Sequence, residues 1–197
     1  PEKAKQLLDE AGYKDVDGDG LRENKDGSKL TINFAARTRD EANESLVQQY
    51  LNWWQEIGLD VQLYTGRTIE VNSFYDKIQA DDPEIDVFAG GWSTGYDPNP
   101  EGLFGETAQF NFQRYVSEEG TAIMNKISST DAFDEAKNVE FYKEWQQYVR
   151  DEAFIFPTLI GESVTAVNKR VKYYDVNLGS DKSAFYQIEL TSETGAK

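Results

Sequence analysis

Two stretches of this 197-residue chain carry residue types at spacings that could do chemistry. The first is acidic: Asp15-Val16-Asp17-Gly18-Asp19-Gly20-Leu21-Arg22-Glu23-Asn24-Lys25-Asp26. Asp15, Asp17, Asp19, Gly20 and Asp26 occupy positions 1, 3, 5, 6 and 12 of an EF-hand-like calcium loop, and the carbonyl of Leu21 would fill position 7. Alternate carboxylates can converge on a hard cation where a glycine allows the sharp turn. Asp26 stands where a bidentate glutamate is usual, and Arg22 and Lys25 dilute the charge. A solvated turn rich in Asp and Gly explains the same residues, so both readings stand. If calcium binds, its role is a structural staple. The second stretch runs from Ile85 to Pro100. Its apolar start, Ile85, Val87, Phe88 and Ala89, predicts a strand covered on both faces. Gly90 and Gly91 then free the backbone, and Trp92 and Tyr96 offer flat faces with polar tips. Ligands of open α/β sheets bind past the carboxyl ends of strands, which makes Trp92, Ser93, Thr94, Gly95, Tyr96 and Asp97 the candidate ligand-binding residues.

Composition narrows the chemistry. The chain has 36 acidic and 20 basic residues, a formal net charge of −16, and neither histidine nor cysteine. That removes disulfides, thiol chemistry, the usual Ser–His–Asp triad and the commonest zinc ligand. It also disfavours nucleic acid and anionic lipid as partners. No phosphate loop and no G-x-S-x-G elbow occur, and no acidic pair stands out as a glycosidase dyad. Hydrophobic residues at 39% and aromatics at 13% indicate a folded globule. The chain opens at Pro1-Glu2 without an initiator Met, so it is read as a piece of a longer protein.

The elements that must position these residues follow from periodicity. Ala4, Leu7, Leu8 and Ala11 mark a first helix ended by Gly12. Leu30, Ile32 and Phe34 alternate as a half-buried strand. Thr38 and Glu41 suggest a capping box before a helix whose stripe is Ala42, Leu46, Tyr50, Trp53 and Ile57, closed by Gly58. A strand at Leu59, Val61 and Leu63 and a helix from Ile69 to Gln79 precede the Ile85 strand. After a long loop, helices are expected over Glu118–Ser128 and Asp134–Asp151, the latter burying Ala136, Val139, Tyr142, Trp145 and Val149. Strands are expected at Phe154–Leu159 and Ser163–Val167, then a loosely ordered tail over 177–197. Alternating helices and strands predict an α/β fold with a mostly parallel central sheet flanked by helices.

Four segments in this order resemble the oligopeptide-binding proteins of peptide ABC transporters, solute-binding protein family 5, of Gram-positive type. They are Pro1 to Tyr13, Leu51 to Val61, Asp86 to Trp92 with Asp97-Pro98, and Tyr142 to Leu159 with Phe156-Pro157. The resemblance implies that residues 1–197 form the C-terminal lobe of a two-lobed receptor with a periplasmic-binding-protein-like (type II) fold. It implies an oligopeptide ligand, an ABC importer permease as partner, and no enzymatic activity or required cofactor. It places the full-length protein outside the cell, attached to the membrane only through a lipid anchor absent from these residues. In many family members the loop reads Trp-x-x-Asp-Tyr, its aspartate pairing with the peptide amine. Gly95 stands at that position here, leaving Asp97 as the replacement anchor. A receptor for a sugar or metal chelate, a calcium-stapled interaction module and a hydrolase remain as alternatives.

Overall fold

The computed structural model describes residues 1–92, 97–159, 164–174 and 186–192. It divides into two units, Pro1–Phe154 and Ile155–Lys197. The first is organised by one strand. β1 (Thr31–Ala36) lies between β2 (Asp60–Leu63) and β3 (Val87–Ala89), all parallel. Its register pairs Ile32 with Val61, Phe34 with both Leu63 and Val87, and Ala36 with Ala89. The α/β expectation of a parallel sheet flanked by helices therefore holds.

Alternate side chains of β1 serve opposite faces. Phe34 and Ala36 pack with Val61 under α2 (Glu41–Glu56), which contributes Val47, Tyr50, Leu51 and Trp54. Ala35 faces the other way, onto Phe74 and Ile78 of α3 (Val71–Gln79) and onto Phe112. Small side chains at 35 and 36 let helices approach a central strand from both sides. The end of β1 is therefore buried on both faces, not half-buried as alternation alone suggests. β3 shows the reverse. It is an edge strand in this sheet, and Val87 is 40% exposed, where a continuous apolar run predicts cover on both faces.

Other boundaries shift for local reasons. The cap of α2 is Asp40, whose carboxylate accepts from Asn43 N; Thr38 instead pairs with Thr68 through their hydroxyls. An aspartate immediately before the first turn out-competes the earlier threonine. α2 turns Trp54 to the sheet and leaves Trp53 51% exposed. α3 starts two residues later than expected, because Ile69 bridges to Arg37 and Glu70 caps the helix. α1 (Glu2–Ala11) ends at Gly12 with φ 93°, a left-handed turn that favours glycine.

A helical subdomain follows the short α4 (Glu101–Phe104). α5 (Glu118–Ile127) and α6 (Glu135–Glu152) bury Ile123, Met124, Ile127, Trp145 and Tyr148, with Phe104, Tyr115, Tyr142 and Phe154 around them. Ala136 and Val139 are exposed, contrary to the expected stripe, because α6 meets α5 through the Trp145–Tyr148 side.

In the second unit, β4 (Val171–Lys172) pairs antiparallel with β5 (Glu189–Leu190). The expected strand at Phe154–Leu159 does not form, and none forms at 164–167, the described part of the second. Neither stretch has a pairing strand among the described residues. Phe156 is 83% exposed. Within the expected loose tail, residues 186–192 include β5. Among the described residues no helix is long and apolar enough to cross a membrane.

The turn from α3 into β3 is tied by Asp82, which accepts from the Tyr64 hydroxyl at 2.8 Å, Lys77 Nζ at 3.0 Å and Glu84 N at 3.1 Å. The Tyr64 hydroxyl, then Lys77, hold its carboxyl down to about 2 from an ordinary 3.8. A depressed folded-state pKa stabilises above the unfolded value and loses that contribution as pH falls through the folded one. Thermal unfolding from pH 6 to 2 should show Asp82→Asn less stable than wild type at pH 6. The gap should close as pH falls from about 4 towards 2; a constant gap would refute the assignment.

Candidate functional site

All three parallel strands point the same way, so their carboxyl ends share one edge of the sheet. Arg37 follows β1 there, and Gly90, Gly91 and Trp92 follow β3. Ser93, Thr94, Gly95 and Tyr96 lie outside the described residues, which resume at Asp97.

Trp92 is half-buried and stacks on Phe112, with ring centroids 6.1 Å apart and planes 25° from parallel. Phe112 also meets Tyr75 of α3 at 6.2 Å. The Tyr75 hydroxyl donates to the Gly91 carbonyl at 3.0 Å, fastening the loop to the helix. Among the described residues the buried Trp92 Nε1 has no hydrogen-bond partner, an uncommon state for an indole N–H. The side chain is thus a fixed apolar wall at the root of the loop.

Arg37 lies beside this wall. Its guanidinium carbon sits 5.4 Å from the Tyr75 ring centroid and 5.9 Å from that of Phe74. A Cβ built on Gly91 would stand 3.7 Å from Arg37 Nη2, so the cation reaches the loop backbone. Sequence reading missed Arg37 and Tyr75. The signal for Arg37 was present: it directly follows the alternating Leu30-Ile32-Phe34 run, at the same sheet end as Gly90.

Asp97, on the far side of the loop, is exposed, and its Oδ1 accepts from Asn99 N at 3.0 Å. This local turn leads into a chain of contacts. Asn99 Oδ1 accepts from Glu101 N, and Asn99 Nδ2 donates to Ser128 Oγ. Ser128 Oγ donates in turn to Glu101 at the start of α4. Tyr142 of α6 has its phenol pKa raised, by burial first and by the Asp97 charge second. Asp97 is therefore held in place, with one carboxylate oxygen engaged in the turn.

The acidic loop forms a separate constellation. Asp15, Asp17 and Asp19 are exposed and offer carboxylate oxygens within 4.8 Å of one another. Each also organises the loop by accepting backbone N–H groups: Asp15 from Gly18 and Gly20, Asp17 from Asp19, and Asp19 from Leu21. These three carboxylates suit a hard cation. Asp26 is not grouped with them. It accepts from Ser28 Oγ at 2.7 Å and Ser28 N at 2.9 Å, and these bonds lower its pKa. Leu21 is half-buried beside Arg22.

Arg22 does not dilute the loop's charge as its place in the sequence suggests. Its side chain, 10% exposed, donates to Asp9 Oδ1 at 2.6 Å, Ile57 O at 2.8 Å and Tyr13 O. It joins α1, the acidic loop and the end of α2. Gly58 makes room: a Cβ there would come within 3.3 Å of the Arg22 side chain.

A sequence profile described as "Bacterial extracellular solute-binding proteins, family 5 Middle" matches residues 1–112. The chain belongs to this family. Its members are solute-binding receptors. The oligopeptide-binding protein OppA of Lactococcus lactis subsp. lactis (strain IL1403) is 34% identical over 194 residues, which are 98% of this chain and 32% of that protein. Among solved structures, lactococcal OppA complexed with an endogenous peptide in the closed conformation superposes with a TM-score of 0.74 at 32% identity. The match covers 78% of this chain and 29% of that one. AppA from Bacillus subtilis in complex with a nonapeptide gives 0.67 at 23% identity, over 78% and 30% of the two chains, and speaks for the fold alone. The family member described here thus spans about a third of the length of the curated relatives it matches.

The Arg22 junction yields a direct test. Arg22→Ala removes a nearly buried cation and leaves the Ile57 and Tyr13 carbonyls unpaired, which should cost about 2–3 kcal/mol. For a chain of this size the melting temperature should fall by roughly 4–12 °C. A change below 1 °C in calorimetry would show that the junction carries no stability.

Proposed function

We propose that residues 1–197 are the C-terminal lobe of a two-lobed, extracellular oligopeptide receptor that delivers peptide to an ABC importer. The observation carrying this reading is the edge of the parallel sheet. There a glycine-rich backbone, an aromatic wall at Trp92 and a positioned carboxylate at Asp97 flank one loop in a member of this receptor family. A relative supports the ligand class, since lactococcal OppA holds an endogenous peptide.

The mechanism is capture without turnover. A second lobe closes over the peptide by hinge motion. Backbone groups of Ser93, Thr94, Gly95 and Tyr96 pair with the extended peptide as with an added strand, which tolerates many side chains. Trp92 forms a pocket wall, and Asp97 takes the peptide amine through its remaining oxygen. With neither histidine nor cysteine in the chain, the usual nucleophilic machinery is missing. In the complete protein a lipid anchor holds the receptor at the surface of a Gram-positive cell, and an ABC permease receives the peptide.

In the complete receptor, a peptide pool should raise the melting temperature by mass action. A peptide with a free amine should bind at least tenfold more tightly than its acetylated form, and Asp97→Asn should erase most of that difference. Equal binding of both forms to wild type would remove Asp97 as the anchor. A shift produced by oligosaccharides and by no peptide would favour the sugar-receptor reading instead.

The acidic loop is proposed as a structural calcium staple built on Asp15, Asp17, Asp19 and the Leu21 carbonyl, without Asp26. Lacking the bidentate ligand, it should bind weakly, with a Kd on the order of 10⁻⁴–10⁻³ M. Millimolar calcium added to chelator-treated protein should raise the melting temperature, and Asp17→Asn should cancel the rise. No calorimetric heat at that concentration leaves a solvated turn.

A further inference from the structure

We propose that Arg37 binds a carboxylate of the captured ligand and so sets a preference for acidic or free-carboxyl peptides. The inference rests on the peptide-receptor reading above and names a contact within that site.

Arg37 has a fixed backbone and an uncommitted head. Its strand neighbours are locked: Ile69 N donates to Ala36 O at 2.8 Å and Thr38 N donates to Ile69 O at 2.7 Å. Asn43 Nδ2 donates to the Arg37 carbonyl at 3.0 Å. Among the described residues its guanidinium makes no hydrogen bond or ion pair, and its contacts are the faces of Tyr75 and Phe74. Carboxylates on the neighbouring elements are engaged elsewhere. Glu44 Oε1 accepts from Thr68, and Glu70 caps α3 through Asn72 N and Ser73 N. The Tyr75 hydroxyl is spent on Gly91 O.

Arg39 and Arg67 also lack a side-chain partner among the described residues, but both are exposed, whereas Arg37 is half-buried with no counter-charge in a chain of 36 acidic and 20 basic residues. Cation–π contact with two aromatic rings uses none of the guanidinium's N–H donors, and a fork of such donors matches a carboxylate bidentately. The location is also specific. Arg37 stands at the ligand-binding end of a parallel sheet, with Nη2 against Gly91 at the root of the proposed loop. Elsewhere the surface charge repels anions, so one positive fork at the sheet edge can select which end or side chain of a peptide faces this lobe.

Isothermal titration of the complete receptor tests this with one peptide sequence in four forms. The C terminus is acid or amide, and a single glutamate is kept or replaced by glutamine. Removing the relevant carboxylate should weaken wild-type binding 10- to 100-fold, and whether the amide or the glutamine form shows the loss identifies its source. Arg37→Gln should bind the intact peptide 10- to 100-fold more weakly and should lose nothing further when that carboxylate is removed. Arg37→Lys, which keeps the charge without the fork, should recover part of the affinity. If Arg37→Gln fails to fold by circular dichroism, the same non-additivity read with Arg37→Lys decides. Arg37 variants within twofold of wild type for every form would overturn the inference while leaving the receptor reading intact. Wild type that binds no peptide would overturn both.

Discussion

The structure depends on β1 being the central strand of a parallel sheet. Its register against β2 and β3 sends Phe34 and Ala36 to α2 and Ala35 to α3, so one short strand organises two cores. Parallel pairing also fixes the chemistry. It brings Arg37, the Ile69 bridge and Gly90–Trp92 to the same edge. Asp86 reinforces the register: its N–H donates to Asn33 O, and its carboxylate accepts from Asn33 N at 2.7 Å. A slip of one residue would turn Phe34 to the wrong face and move the loop that β3 launches.

Three other cations connect elements or fasten turns. Arg22 fastens α1 to the end of α2, Lys77 closes the turn into β3, and Arg114 donates to the Asn111 and Gln79 carbonyls. Backbone carbonyls and single carboxylates at loop ends are natural partners for such donors, because each would otherwise meet water or go unpaired. Arg37 differs from these three, lying over aromatic rings with no acceptor among the described residues. In a protein whose net charge is −16, that makes the sheet edge chemically unlike the remaining surface.

This architecture holds the candidate loop from both ends. A rigid sheet and two helical layers hold Trp92 and Asp97 at the two ends of one loop, and neither depends on the other's position. Trp92 is set by α3 and Phe112, and Asp97 by the turn into α4 and by the C-terminal end of α5.

The residue order by itself determined the order of the principal helices and strands through α6 and the parallel α/β class. Those follow from local periodicity, glycine stops and the alternation of strands with helices, whereas the family followed from the resemblance of four segments. It did not determine which helical face is buried. α2 carries Leu46, Val47, Tyr50, Leu51, Trp53 and Trp54, apolar around much of its circumference, and only the sheet decides that Trp54 goes in and Trp53 stays out. Nor did it show that β3 is an edge, that 154–159 lacks a pairing strand, or that Asp26 turns to Ser28, since pairing partners are set by tertiary contacts. Arg22 and Arg37 make the contrast plainest. In the sequence the first only dilutes the acidic loop's charge, and the second carries no signal of a partner. Tertiary structure alone brings a carbonyl 35 residues away to the first and aromatic rings to the second, because a guanidinium's role depends on what surrounds it and not on its neighbours in sequence.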